Sequence, residues 1–213
     1  MRTQSHKEIV EEYSASRGSY EGCLDYVENT VESIIKSQSI NVHEIIGRVK
    51  TVESLEGKVK RKNYSNLAEI TDLCGIRIIT YFSDDVDKIA ELISQEFEVD
   101  VENTIDKRKS EDPTKFGYVS LHYVVGLKEG TTPSTLYGRF KNIKLEIQIR
   151  TVMQHAWAEI EHDLGYKSKE DIPDQYRRQF SRLAGLIELA DDNFLQLKNN
   201  INNYEPVSYT HLR

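Results

Sequence analysis

A chain of 213 residues suits one domain with helical extensions and can bury a sizeable core; 38% apolar and 30% charged residues exclude a disordered chain. No apolar run is long enough to span a membrane and "MRTQSHKEIVEEY" lacks a signal-peptide core, while Cys23 and Cys74 alone give neither a disulfide framework nor a four-cysteine zinc site, so a reducing cytoplasm is the expected compartment. The net charge of −7 argues against broad nonspecific nucleic-acid binding, yet "RVKTVESLEGKVKRK" sets six basic residues against two glutamates, the make-up of a confined anion site or of a solvated helix face.

In chain order, Ser5 to Ser39 reads as helix, with Leu24, Val27, Val31, Ile34 and Ile35 at helical spacing. "NVHEIIGRVKT" reads as a strand and "VESLEGKVKRK" as the helix after it. "LAEITDLCGIRIITYF" leads into a short apolar strand, Ile76 to Phe82, and "DDVDKIAELISQEF" is an amphipathic helix with an acidic start. "SEDPTKFG" is the most loop-like interior segment, ahead of the strand "GYVSLHYVVGL". In "KLEIQIRT", Leu145, Ile147 and Ile149 alternate with Glu146, Gln148 and Arg150, the period of a strand with one face in a core. "VMQHAWAEIEHDLGYK" is helical, and a long helix opens at Pro173. This order predicts an α+β fold on a small mixed sheet with flanking helices. The expected division is an N-terminal helical extension (1–40), a core (41–168), a C-terminal helix (169–203) and an unstructured tail (204–213).

The polar residues suggest phosphate chemistry. Arg48 and Lys50 are two apart on a strand and share a face; Ser54 and Lys58 are four apart on the next helix and share another. Together they can line a polyphosphate, and Arg77 can join them or stack on a base. Asp72, just ahead of a strand, and Glu146, on a strand's polar face, can hold a magnesium ion shared with substrate phosphates, although each alone also suits a surface or capping role. Tyr118, Ser120 and His122 share one strand face, where Tyr118 can stack on a base and His122 can bind phosphate or a sugar hydroxyl. No Gly-rich phosphate loop is present, so a nucleotide site would rest on side chains.

In this order, "RVKTVES", "DLCGIR", "GYVSLH" and "EIQIRT" followed by "QHAWAEIEHDLGYK" resemble the synthetase domain of the RelA/SpoT homologue family, over Ile45 to Lys167. The resemblance implies a nucleotidyltransferase-like mixed sheet and a GTP pyrophosphokinase. Such an enzyme moves the β,γ-pyrophosphate of ATP to the ribose 3′-hydroxyl of GDP or GTP, with Mg²⁺, making ppGpp or pppGpp. By motif position, Arg48 and Arg77 are implied to sandwich adenine, and Lys50, Ser54 and Lys58 to hold the ATP phosphates. Asp72 and Glu146 are implied to bind the metal, Glu146 serving also as base. Tyr118 is implied to stack on the acceptor guanine, with His122, Gln148 and His155 lining the acceptor side. Phe116 and Lys115 depart from the family's usual acceptor loop, which leaves the acceptor open. Small relatives transfer instead to the 3′ end of tRNA, for which Lys107, Arg108 and Lys109 are candidates, or to adenosine nucleotides; a catalytically silent nucleotide-binding module is a further alternative. Small members of the family often form homo-oligomers, which leaves the oligomeric state open, and a regulatory partner such as an antitoxin lies beyond the sequence. His162-Asp163 falls inside a predicted helix with no second His/Asp set, and is not read as a hydrolase centre.

Overall fold

The computed structural model describes residues 4–106, 120–167 and 174–204. Helix α1 (His6–Ser37) opens with a capping box: the Ser5 hydroxyl accepts from Glu8 N–H, and the Glu8 carboxylate accepts from Ser5 N–H at 2.7 Å. Its Cys23, Val27, Val31 and Ile35 are buried at steps of four, with Leu24 beside Cys23, so one stripe of α1 enters the core. Strand β1 (Val42–Val49) runs into α2 (Val52–Arg61), which Thr51 caps by accepting from Ser54 N–H at 3.2 Å. A 3₁₀ turn (Leu67–Glu69) precedes β2 (Cys74–Thr80). Helix α3 (Ser83–Glu96), short strands β3 (Glu98–Val99) and β4 (Ile105–Asp106), β5 (Leu121–Gly126), α4 (Ser134–Phe140), β6 (Leu145–Thr151), α5 (Val152–Lys167) and α6 (Asp174–Asn202) follow.

The sheet runs β1-β2-β6-β5-β3, with β4 also paired to β5. β2 and β6 are parallel and the other pairings antiparallel, so the sheet is mixed, as expected. A parallel pair needs a long crossover, and the 64 residues between Thr80 and Leu145 supply it (145 − 80 − 1 = 64). Ile76 and Ile78 on β2 and Leu145, Ile147 and Ile149 on β6 bury one sheet face against α1 and against Val86, Ile89 and Ile93 of α3. A second cluster joins Ile9 and Tyr13 of α1 to Leu55 and Val59 of α2 and to Leu67, Ile70 and Leu73. Burying Leu55 and Val59 there fixes the roll of α2 and leaves Ser54, Lys58 and Arg61 on the side that opens toward Asp72.

The strand expected from Ile76 to Phe82 begins two residues earlier and ends at Thr80. Phe82 is instead the cap residue of α3, and the Thr80 hydroxyl donates to its carbonyl at 3.0 Å, turning the chain. Helix α4, the 3₁₀ turn and the two-residue strands are too short for periodicity to reveal. The loop SEDPTKFG, the basic residues 107–109, Tyr118, Pro173 and tail residues 205–213 lie outside the described residues. Among the described residues no helix is long and apolar enough to cross a membrane.

Candidate active site

The strand register writes the polar face of the sheet in rows. One row reads Ile46, Arg77, Gln148, His122; the next reads Arg48, Gly75, Glu146. Paired residues share a face, so the alternation in "KLEIQIRT" puts Glu146 and Gln148 beside Arg77 and opposite the apolar core. Gly75 is required here: a Cβ would stand 2.7 Å from the Glu146 carbonyl oxygen. Its missing side chain also leaves a gap between Arg48 and Glu146.

Asp72 and the two lysines meet at the mouth of this face. Lys50 Nζ lies 3.2 Å from Asp72 Oδ2, and Lys58 Nζ lies 2.5 Å from Asp72 Oδ1. Burial alone would raise the Asp72 carboxyl, but the hydrogen bond from Lys58 and the charges of both lysines outweigh it and hold it below its ordinary value. The backbone is pinned at the same point. Lys50 N–H donates to the Leu73 carbonyl at 2.8 Å, and the buried Tyr13 hydroxyl donates to the Lys50 carbonyl at 2.5 Å.

Arg48, Lys50, Ser54, Lys58 and Asp72 line one open cleft of about 1160 Å³, joined by Arg61 and Lys62. Five cationic side chains against Glu53 and Asp72 make that cleft electropositive on an acidic protein. A smaller cleft of about 70 Å³ brings together Arg48, Lys50, Asp72, Arg77, Glu146 and Gln148. Asp72 and Glu146 therefore open onto the same space; among the described residues no group of three or more potential metal ligands is formed.

Glu146 is set by its neighbours. His122 Nδ1 is hydrogen-bonded to Glu146 Oε1, His122 Nε2 lies 2.5 Å from the buried Ser120 hydroxyl, and Gln148 donates to Glu146 Oε1 at 3.4 Å. Burial pushes the Glu146 carboxyl up, but the hydrogen bond and field of His122 prevail and hold it below its usual value, with Asp72 opposing. Glu146 is thus ionised at neutral pH.

His155 does not join the Glu146 group. It turns toward Glu159, at 3.7 Å, in a cluster with Arg77 and Arg150. Burial and the charges of Arg150 and Arg77 lower its pKa, so the ring is neutral at pH 7. Reading the sequence left out Arg61, Lys62 and Glu159. The spacing Ser54–Lys58–Arg61 was a usable signal for the first, and the four-residue step from His155 for the last.

A family described as "Region found in RelA / SpoT proteins" matches residues 47–171. The chain is 28% identical to GTP pyrophosphokinase YwaC of Bacillus subtilis, over 92% of this chain and 94% of that protein. It is 30% identical to GTP pyrophosphokinase YjbM of the same organism, over 74% of this chain and 72% of that protein. The fold superposes on the crystal structure of small alarmone synthetase 2 from Bacillus subtilis with a TM-score of 0.74 at 26% identity, covering 89% of this chain and 99% of that one.

Proposed function

Because the chain belongs to the RelA/SpoT family, we propose that it is a (p)ppGpp synthetase: a GTP pyrophosphokinase that moves the β,γ-pyrophosphate of ATP to the ribose 3′-hydroxyl of GDP or GTP and releases AMP. The observation that carries this reading is the electropositive cleft lined by Arg48, Lys50, Lys58, Arg61 and Lys62, which shares Asp72 with the smaller adjoining cleft that holds Glu146, Gln148 and Arg77. Transfer of this kind is mostly positioning and charge neutralisation, so the site needs fixed cations around the phosphates more than covalent chemistry.

In this reading Lys50, Ser54, Lys58 and Arg61 hold the donor phosphates, and the Arg48 and Arg77 guanidiniums take the adenine between them. Arg48 and Arg77 are diagonal neighbours on one face of paired strands, and both line the smaller cleft. Asp72 and Glu146 fit Mg²⁺: two carboxylates opening on one cleft, with phosphate oxygens and water to complete the shell. A Mg²⁺ ion held by Asp72 and Glu146 would supply positive charge next to the phosphates. Ionised Glu146, oriented by His122 and Gln148, accepts the proton of the attacking 3′-hydroxyl. His122 and Gln148 line the acceptor side, where family position also assigns Tyr118; His155, expected there as well, instead sits with Glu159 beside Arg77. Buried free thiols at Cys23 and Cys74, the latter pushed up by burial, accord with a cytoplasmic setting.

The test is transfer from ATP labelled in its β-phosphate, with Mg²⁺ and with GDP, GTP or deacylated tRNA offered separately. Label on GDP or GTP with matching AMP, lost in Glu146→Gln and Asp72→Asn, is expected. Label on tRNA alone would replace the alarmone reading with tRNA modification. ATP binding with no AMP on any acceptor would make the chain a nucleotide-binding module.

A further inference from the structure

Glu159 lies on α5, one turn beyond His155, and draws groups from three elements onto one oxygen. Its Oε1 is 3.0 Å from Arg77 Nη1 on β2, 3.2 Å from Arg150 Nη2 on β6 and 3.7 Å from His155 Nδ1. The environments differ: the Arg150 side chain is 2% exposed, Arg77 26% and Glu159 55%. Arg77 pairs with Gln148 and Ile79 with Arg150, so the two arginines are diagonal neighbours on one sheet face. Two like charges this close, one of them buried, repel along the sheet. A carboxylate between them offsets that repulsion and fixes where the more mobile one points.

We propose that Glu159 is a positioning residue for the base end of the donor site. It grips the Arg77 guanidinium through Nη1 and keeps Arg77 from swinging away from Arg150 and out of the cleft. The ligand class is a purine nucleotide triphosphate, and the inference rests on the reading that Arg77 carries the adenine. Among the described residues Glu159 pairs with Arg77, Arg150 and His155, none of them assigned to the phosphates, so its effect is expected on the base and not on the phosphates. A half-exposed ion pair that served stability alone would show no such division.

The test compares two probes on the whole protein: α,β-methylene-ATP, in which the bond to be broken is blocked, and inorganic tripolyphosphate, which lacks the base. Glu159→Gln keeps the shape and removes the charge. It is expected to weaken α,β-methylene-ATP about tenfold and tripolyphosphate less than about twofold, with KM for ATP raised and kcat nearly kept. In an Arg77→Ala background Glu159→Gln should add nothing further, since the two act as one unit. Equal weakening of both probes, no weakening of either, or a full effect persisting without Arg77 would overturn the proposal. The failure of the functional reading looks different. If the wild type binds α,β-methylene-ATP in an Arg77- and Glu159-dependent way but transfers no label, the synthetase reading falls and the role of Glu159 stands. If Arg77→Ala leaves α,β-methylene-ATP binding unchanged, the Glu159 proposal falls whatever the activity.

Discussion

Replacing Asp191 by Asn should stabilise the protein at alkaline pH and do much less in acid. Asp191 lies on α6, 5% exposed, and its Oδ2 accepts from the buried Thr151 hydroxyl at 2.7 Å, tying α6 to the end of β6. Burial pushes its carboxyl up to about 6; the Thr151 hydrogen bond pulls the other way, and Asp192 adds to the rise. A carboxyl raised in the native state keeps its proton while the unfolded chain has lost it, so stability falls as pH rises from about 4 and the penalty is complete above about 6. A shift from 3.8 to about 6 is worth at most about 3 kcal/mol, and about 2 once solvent screening is allowed for. Asn keeps an oxygen to accept from Thr151 and cannot ionise. Urea unfolding of Asp191→Asn at pH 8 should move the midpoint up by about 1 M at a slope of about 2–3 kcal/mol/M. At pH 4.5 the gain should shrink to about a third of that. An equal gain at both pH values, or a loss at pH 8, would refute the argument.

Three other outcomes follow from the packing around the site. Tyr13→Phe removes the donor to the Lys50 carbonyl and should cost about 1–2 kcal/mol in urea unfolding, with a raised KM for ATP because Lys50 loses its anchor. Gly75→Ala forces a Cβ against the Glu146 carbonyl and should cost about 1–3 kcal/mol by thermal melt and abolish most transfer in the labelled-ATP assay. Asp72→Asn leaves Lys50 and Lys58 facing each other without a counter-charge and should lower the urea midpoint at pH 7. Because the native Asp72 pKa is depressed, its stabilising ion pairs persist above the unfolded value and vanish only as pH falls through the folded one; the difference between variant and wild type should close in strong acid.

Local period carried far in this chain. The alternation of Leu145, Ile147 and Ile149 with Glu146 and Gln148 decides the two faces of β6 without any tertiary information, because a strand's side-chain period is two. Ser54 and Lys58 fall on one side of α2 for the same kind of reason. Which way that side faces was not legible, since it depends on Leu55 and Val59 burying against Ile9 and Tyr13 of α1, more than forty residues away (55 − 13 = 42). The shared cleft of Asp72 and Glu146 needs the parallel pairing of β2 with β6, which no local pattern encodes. Glu159 reaches Arg77 across 82 positions, so the four-residue step from His155 marks its helix face but not its partner on β2. Arg61 and Lys62 sit in and just past the last turn of α2, where basic residues are common for dipole reasons alone, so composition could not mark them as cleft residues.

The Lys50–Asp72–Lys58 cluster also sets a condition on how the proposed donor binds. In the protein by itself the two lysines neutralise Asp72 and stabilise its ionised form, so the cleft folds with its own counter-ions in place. A polyphosphate entering the cleft competes with Asp72 for both ammonium groups, and an Asp72 carboxylate released by the lysines would lie close to phosphate oxygens of its own sign. Two like charges in a partly buried cleft are costly unless a cation comes between them. In the proposed reading, a divalent ion carried on the nucleotide would offset that cost, whereas the ion alone would have to approach a carboxylate already flanked by two positive charges. The expected outcome is that ATP binding to the wild type tightens with Mg²⁺ and that Asp72→Asn loses this dependence, as titration with and without the metal would show.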